Sequence, residues 1–211
     1  MAEPSYRLKQ EAQLAKFLAW RQAEGGVELP VTLHTMLKPE QQARVAWLVA
    51  RARGRVLEVG CSFGYVLASI AAKDPKHDHV GIDIAPWNVE LAKLLCPGLR
   101  FKIGDVRTLG APGKSFATVV LAEVLEHLAW PDDVERAIEH AVRVARERVL
   151  ITVPNGELDT EEAHSQKHPY LVDREKRTAI TEMLARHLKS YARLYSEEIG
   201  PFICWELEVT S

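Results

Sequence analysis

The chain has no apolar run approaching the ~18 residues of a membrane-spanning helix, so no such span is expected. It has three cysteines in 211 residues, Cys61, Cys96 and Cys204, and their spacing fits no metal-ligand pattern. A count so odd and sparse excludes a disulfide framework and predicts a reduced, cytoplasmic setting. Charge of one sign is missing too. The 27 Lys and Arg against 29 Asp and Glu leave a formal net charge of −2, which supplies no general basic footprint for nucleic acid. Internal repeats and low-complexity tracts are absent. The polar start M-A-E-P-S-Y-R-L-K-Q does not read as a signal peptide. What remains, 47% hydrophobic and 27% charged residues, is ordinary for a soluble globular chain long enough to bury a sizeable core.

The residues alternate between two periodicities. Tyr6–Ala23 and Pro39–Arg53 carry helical stripes, broken by Gly25-Gly26 and Gly54. From there short apolar runs and helical stretches follow one another. Strands are expected at Val56–Val59, His79–Ile84, Leu99–Ile103, Ala117–Leu121 and Val149–Val153. Helices are expected at Gly64–Lys73, Trp87–Leu95, Asp132–Arg146 and Arg174–Lys189. Two closing strands, Tyr191–Ser196 and Phe202–Val209, suggest a hairpin. This order predicts an α/β fold with a doubly wound, mostly parallel sheet. Residues 1–53 would form a helical cap on the same domain, and 54–211 its core.

The segment R-V-L-E-V-G-C-S-F-G-Y, Arg55–Tyr65, reads as a buried strand, a tight turn and a helix start. Gly60 permits the turn, and the helix beginning near Gly64 offers free N–H groups to an anionic ligand. Glu58 lies at the carboxyl end of the strand, where open α/β sheets bind ligands. The dinucleotide fingerprint G-x-G-x-x-G is not met, because Ser62 and Tyr65 occupy its second and third glycine places. NAD and FAD are therefore disfavoured.

The acid-x-G-x-x-x-G form resembles the first motif of class I S-adenosylmethionine-dependent methyltransferases. That resemblance implies a seven-stranded sheet ending in an antiparallel hairpin. It also implies S-adenosyl-L-methionine as cofactor, with Glu58, Gly60, Cys61, Ser62 and Gly64 at its methionine end. The family usually has glycine at the place of Ser62; serine there is tolerable with a negative φ. Asp83, at the end of V-G-I-D-I, would accept from the ribose hydroxyls, with Ile84 beside it. Its plainer reading is a helix-capping or turn aspartate. Trp87 could flank the adenine, although a surface-packing aromatic is the commoner case. In F-K-I-G-D-V, Asp105 would accept from the adenine amino group and Val106 would donate its backbone N–H, against the plainer reading of a G-D turn.

The stretch F-A-T-V-V-L-A-E-V-L-E-H-L closely resembles the segment after the fourth strand in many of these enzymes, including ubiquinone-biosynthesis O-methyltransferases. Glu123 would lie by the cofactor. His127 would be the general base for a hydroxyl acceptor, unless it and Glu126 only brace the next segment. Glu123, Glu126 and His127, with His168 as a distant partner, also resemble the metal set of small-RNA 2′-O-methyltransferases of the Hen1 type. A divalent metal is the less favoured reading, since E-V-L-E-H-L is common in the superfamily without one. V-P-N-G and the loop carrying His164 and His168 would help shape the acceptor pocket. The resemblance spans about Arg55–Asn155. It implies methyl transfer to a hydroxyl of a small molecule. The alternatives are a metal-assisted RNA or sugar O-methyltransferase and a catalytically silent cofactor-binding regulator. The resemblance does not give the acceptor or the oligomeric state.

Overall fold

A computed structural model describes residues 37–156, 172, 174–187 and 193–209. The expected helix Tyr6–Ala23, most of the N-terminal cap, His164 and His168 lie outside them. Twelve principal elements are described: α1 (Pro39–Arg51), β1 (Val56–Val59), α2 (Tyr65–Lys73), β2 (Val80–Asp83), α3 (Pro86–Leu95), β3 (Arg100–Ile103), β4 (Phe116–Ala122), α4 (Asp132–Val144), β5 (Ala145–Pro154), α5 (Arg174–Arg186), β6 (Arg193–Ile199) and β7 (Phe202–Glu208). Short 3₁₀ turns follow β3 at Val106–Thr108 and β4 at Leu125–His127.

The sheet has seven strands in the order β3-β2-β1-β4-β5-β7-β6. The first five are parallel, while β7 runs antiparallel to both β5 and β6. A parallel strand covered on both faces reads as a continuous apolar run, and all seven residues of β4 (F-A-T-V-V-L-A) are buried. Two apolar layers cover the sheet. Val134, Ala137, Ile138 and Ala141 of α4 pack with Ile180 and Leu184 of α5 on one face. Val45 and Leu48 of α1 pack with Val66, Leu67 and Ile70 of α2 and Val89 of α3 on the other. The chain winds outward from β1 to β3, then crosses back to β4. Strand order reverses between β1 and β4, which opens a crevice at their carboxyl ends.

Where element boundaries differ from the sequence expectation, a specific contact accounts for it. Helix α1 stops two residues short of Arg53 because the Thr118 hydroxyl of β4 donates to the Arg53 carbonyl at 2.8 Å and accepts from its N–H at 3.0 Å. Helix α4 stops at Val144 because Ala145 already pairs with Phe116 in the β4–β5 ladder. The expected strand start at His79 is occupied instead by a side-chain bridge. The buried imidazole accepts the Val56 N–H at Nδ1, 3.2 Å, and its Nε2 lies 2.8 Å from the Asp74 carbonyl oxygen. An amide can only donate and a carbonyl only accept, so Nε2 carries the proton in this network.

Replacing His79 with Leu should orphan the buried Val56 N–H at the start of the central strand. The expected loss is about 1–3 kcal/mol of unfolding free energy, measured by urea denaturation. An unchanged midpoint would remove the bridge from the account of strand entry.

Candidate functional site

The turn from β1 into α2 holds three residues in the left-handed region within five positions: Gly60 at φ +71°, Ser62 at +46° and Gly64 at +79°. Close packing reinforces the two glycines. A Cβ on Gly60 would lie 2.6 Å from Val124 Cγ2, and one on Gly64 2.6 Å from Phe101 Cζ. The negative φ expected of Ser62 is not found. The serine adopts the conformation of the glycine it replaces, held by its N–H bond to Asp83 Oδ2 at 2.9 Å.

Gly64 is the N-cap of α2 and has no side chain to satisfy the first helical donors. Glu58 supplies the missing acceptor from β1: its Oε2 takes the Leu67 N–H at 2.9 Å. Its carboxyl is 2% exposed. Burial pushes its pKa up to about 8, against the lowering effect of the Leu67 bond and of Arg44. Burial likewise keeps the Cys61 thiol far above its ordinary range, so this cysteine is a packing residue and not a nucleophile.

Asp83 ends β2 and organises the next turn. Besides Ser62, it accepts from the Ala85 N–H at 2.9 Å and from Asn88 Nδ2 at 3.1 Å. Asp83 is therefore a turn aspartate at the carboxyl end of β2, and the helix that follows has no side-chain cap. Ile84 follows Asp83, 61% exposed, and Ile103 at the end of β3 is 62% exposed. Two large apolar side chains thus stand open at the same sheet edge. Trp87 packs against the apolar layer of α1–α3. Asp105 caps the 3₁₀ turn through the Arg107 N–H, and the Arg107 guanidinium holds both its oxygens, with contacts of 2.6–3.1 Å. Those bonds keep its carboxyl below the usual range. The G-D turn is therefore present in fact, and Arg107 continues to Asp133 of α4 at 2.9 Å. Val106 is buried in the turn.

After β4, Glu123 sits at φ +57°. Its N–H donates to the Thr152 carbonyl at 2.9 Å, and its Oε1 accepts the Thr152 hydroxyl at 3.0 Å. The guanidinium of Arg44, itself 2% exposed, donates to Tyr65 Oη at 2.8 Å and to Thr152 Oγ1 at 3.4 Å, and lies 3.9 Å from the same Glu123 oxygen. It stands over the Phe202 ring at 5.0 Å. Glu126 is buried nearby. Burial raises the pKa of both Glu123 and Glu126; Arg44 offsets this for Glu123, and the neighbouring Glu123 pushes Glu126 further up. His127 turns the other way in exposure, with its side chain 52% accessible and Nε2 3.9 Å from Glu126 Oε1. Among the described residues, no three His, Cys, Asp or Glu side chains converge on a point that could hold an ion. The distant partner His168 lies outside those residues.

Sequence reasoning missed Arg44, Tyr65, Thr152 and Asn88. Arg44 left a trace, as a charged residue adjoining the apolar face of Val45, Trp47 and Leu48. Tyr65 had been weighed only as an obstacle to a dinucleotide.

Residues 56–148 match the family model described as a methyltransferase domain. Over 153 residues the chain is 32% identical to the ubiquinone biosynthesis O-methyltransferase of Xanthomonas euvesicatoria pv. vesicatoria, covering 68% of this chain and 61% of that one. Residues 56–148 are a methyltransferase domain of the class I S-adenosylmethionine-dependent type. The chain is also 31% identical over 102 residues to the trans-aconitate 2-methyltransferase of Methylobacterium radiotolerans, covering 45% and 39% of the two chains. The chain thus spans less than two thirds of the length of either curated relative. Among solved structures, the methyltransferase domain of bacterial CtHen1 shares the fold, with a TM-score of 0.64 at 18% identity over 81% of this chain and all of that one. The seven-stranded sheet with its antiparallel end is the fold that the resemblance implied.

The raised carboxyl of Glu58 gives a signed pH effect. The group is protonated in the folded chain up to about pH 8 but ionises near pH 4.5 when unfolded, so stability falls as pH rises between those values. Glu58→Gln should flatten that fall, read as urea midpoints at pH 5 and pH 8. An equal fall in both proteins would place the ionised form in the fold.

Proposed function

We propose that the chain transfers the methyl group of S-adenosyl-L-methionine to a hydroxyl of a small molecule. The observation carrying this reading is the crevice at the carboxyl ends of β1, β2 and β4. There a left-handed turn, two acidic strand ends and two exposed isoleucines share one edge. When bound, the cofactor supplies a methyl already activated on a sulfonium, which leaves the protein the tasks of alignment and exclusion of water.

Asp83 would accept from the ribose hydroxyls, with the Ser62 and Ala85 N–H bonds fixing its direction. Ile84 would wall the adenine, joined by Ile103. Asp105 would meet the adenine amino group by sharing an oxygen now held by Arg107, and Val106 would offer its backbone N–H. The turn Gly60–Cys61–Ser62–Gly64, with Glu58 beneath it, would line the methionine end, and Glu123 would close the floor. Arg44 is the cation nearest these carboxyls, and its Nε has no hydrogen-bond partner among the described residues. It suits the cofactor's carboxylate. The half-exposed His127 would take the acceptor's proton as the lone pair of the hydroxyl oxygen forms its bond to the methyl. The curated relatives are named as an O-methyltransferase and a trans-aconitate methyltransferase, which supports a small-molecule acceptor. No described helix is long and apolar enough to cross a membrane.

A second reading, a metal-assisted RNA or sugar O-methyltransferase, draws on the burial of Glu123 and Glu126 together, three residues apart. Chelation followed by manganese or magnesium separates the two. A metal-free enzyme keeps its rate, and a metal-dependent one loses and regains it.

Calorimetry should show binding of S-adenosylhomocysteine. Asp83→Ala should weaken it by about 1.5–3 kcal/mol, as for a hydrogen bond to a charged group. No binding by the unaltered chain would sink the proposal.

His127→Ala should lower turnover roughly 10²–10⁴-fold if the imidazole is the base. Binding without turnover of any acceptor would instead favour the silent regulator.

A further inference from the structure

Glu126 and His127 are neighbours with opposite environments. The imidazole is half open to water, while the Glu126 side chain is 4% exposed. Its Oε2 is buried and has no hydrogen-bond partner among the described residues. An acceptor oxygen held dry without a donor carries a desolvation cost of about 1–3 kcal/mol, and native structures rarely leave such a cost in place without a use for the group. The other polar groups around it do not relieve it. The Thr152 hydroxyl is given to Glu123, and the two terminal nitrogens of Arg44 go to Tyr65 and Thr152. Glu123 and Glu126 lie at the end of β4, on the edge where Asp83 and Glu58 lie, and face a single guanidinium.

Resting on the methyltransferase reading, we propose that Glu126 meets the acceptor alongside His127, and that the acceptor presents a hydroxyl or amine donor to Glu126 Oε2. A donor satisfies the stranded oxygen. A carboxylate acceptor does not, and it brings one more hydrogen-bond acceptor to a buried edge that already holds Glu123 and Glu126. The site thereby selects neutral hydroxyl or amine acceptors against di- and tricarboxylates. Glu126 positions the acceptor by holding a hydroxyl or amine hydrogen, and the proton released on methyl transfer passes to His127.

The test uses Glu126→Gln and, as a second variant, Glu126→Met, each compared with the unaltered chain. Three readouts are taken: thermal midpoint, S-adenosylhomocysteine affinity, and methyl transfer to catechol, aniline and fumarate as probes. The expected result is a midpoint at or above that of the parent and a cofactor affinity within twofold. Transfer to catechol or aniline should fall at least tenfold in kcat/KM, with none to fumarate. A midpoint lowered by more than 5 °C in both variants would make Glu126 a structural brace and overturn the proposal. Undiminished transfer by the variants, or transfer to fumarate at a rate matching catechol, would do the same. So would activity lost to a chelator and restored by manganese, since an ion would then occupy Oε2. Absence of S-adenosylhomocysteine binding by the parent is a separate result that removes the methyltransferase reading, while the thermal midpoints still judge the structural alternative.

Discussion

One buried guanidinium ties the candidate-site edge of this fold together. Arg44 enters from α1, ahead of the first strand, yet it reaches Tyr65 at the first position of α2, Thr152 of β5, Glu123 after β4 and the ring of Phe202 on β7. A charge with 2% exposure is tolerated only where partners compensate its desolvation, and removing one partner of such a set typically costs 3–5 kcal/mol. The carboxyls at the floor depend on it in turn. Arg44 works against the burial effect at Glu58, Glu123 and Glu126 alike. The helix before the core is therefore electrostatically part of the site.

The turn after β1 shows why that edge has so little freedom. Three left-handed residues in five positions would be costly as free choices, at roughly 1–2 kcal/mol for a non-glycine. Two are glycines whose Cβ positions are blocked by Val124 and Phe101, so packing and backbone agree. Ser62 is the exception. Its bond to Asp83 Oδ2 links the turn after β1 to the end of β2, and strain of this kind persists only where the surroundings over-determine it.

The fold was legible because its signals are local or periodic. Short apolar runs gave β1 through β5, and Pro39, Gly54 and Gly64 marked the bounds of α1 and the start of α2. Asp83 was legible for the same reason, as an acid closing an apolar strand. What stayed hidden depends on pairs far apart in the chain. Arg44 and Thr152 are separated by 108 residues, and no window contains both. The surroundings of Asp105 were hidden for a different reason. Its partner Arg107 is only two residues away, but whether an Asp-x-Arg closes on itself or opens to a ligand depends on Asp133, which anchors the far side of the guanidinium from α4. The φ of Ser62 was unreadable because serine adopts either sign, and only the tertiary bond to Asp83 decides.

The two ends of the crevice differ in how their carboxyls are satisfied. Toward β1–β3, Glu58 receives an amide, Asp83 two amides and a carboxamide, and Asp105 an amide and a guanidinium. Those groups are pre-oriented by the fold, so a ligand meeting them finds geometry already fixed, which is how a rigid cradle lowers the entropy cost of binding. Toward β4 and β5 the pattern inverts: Glu123 is satisfied once by Thr152, and Glu126 keeps an oxygen stranded. A saturated edge suits a ligand that is the same in every turnover. An unsaturated one suits the partner whose arrival must complete the site, because only there does the ligand change the hydrogen-bond count of the protein. The asymmetry follows from the topology. β1 feeds directly into helix α2, whose Leu67 N–H is at hand, whereas β4 runs into a 3₁₀ turn and reaches α4 only at Asp132. That leaves Glu126 without the helix-start amide that Glu58 has in Leu67.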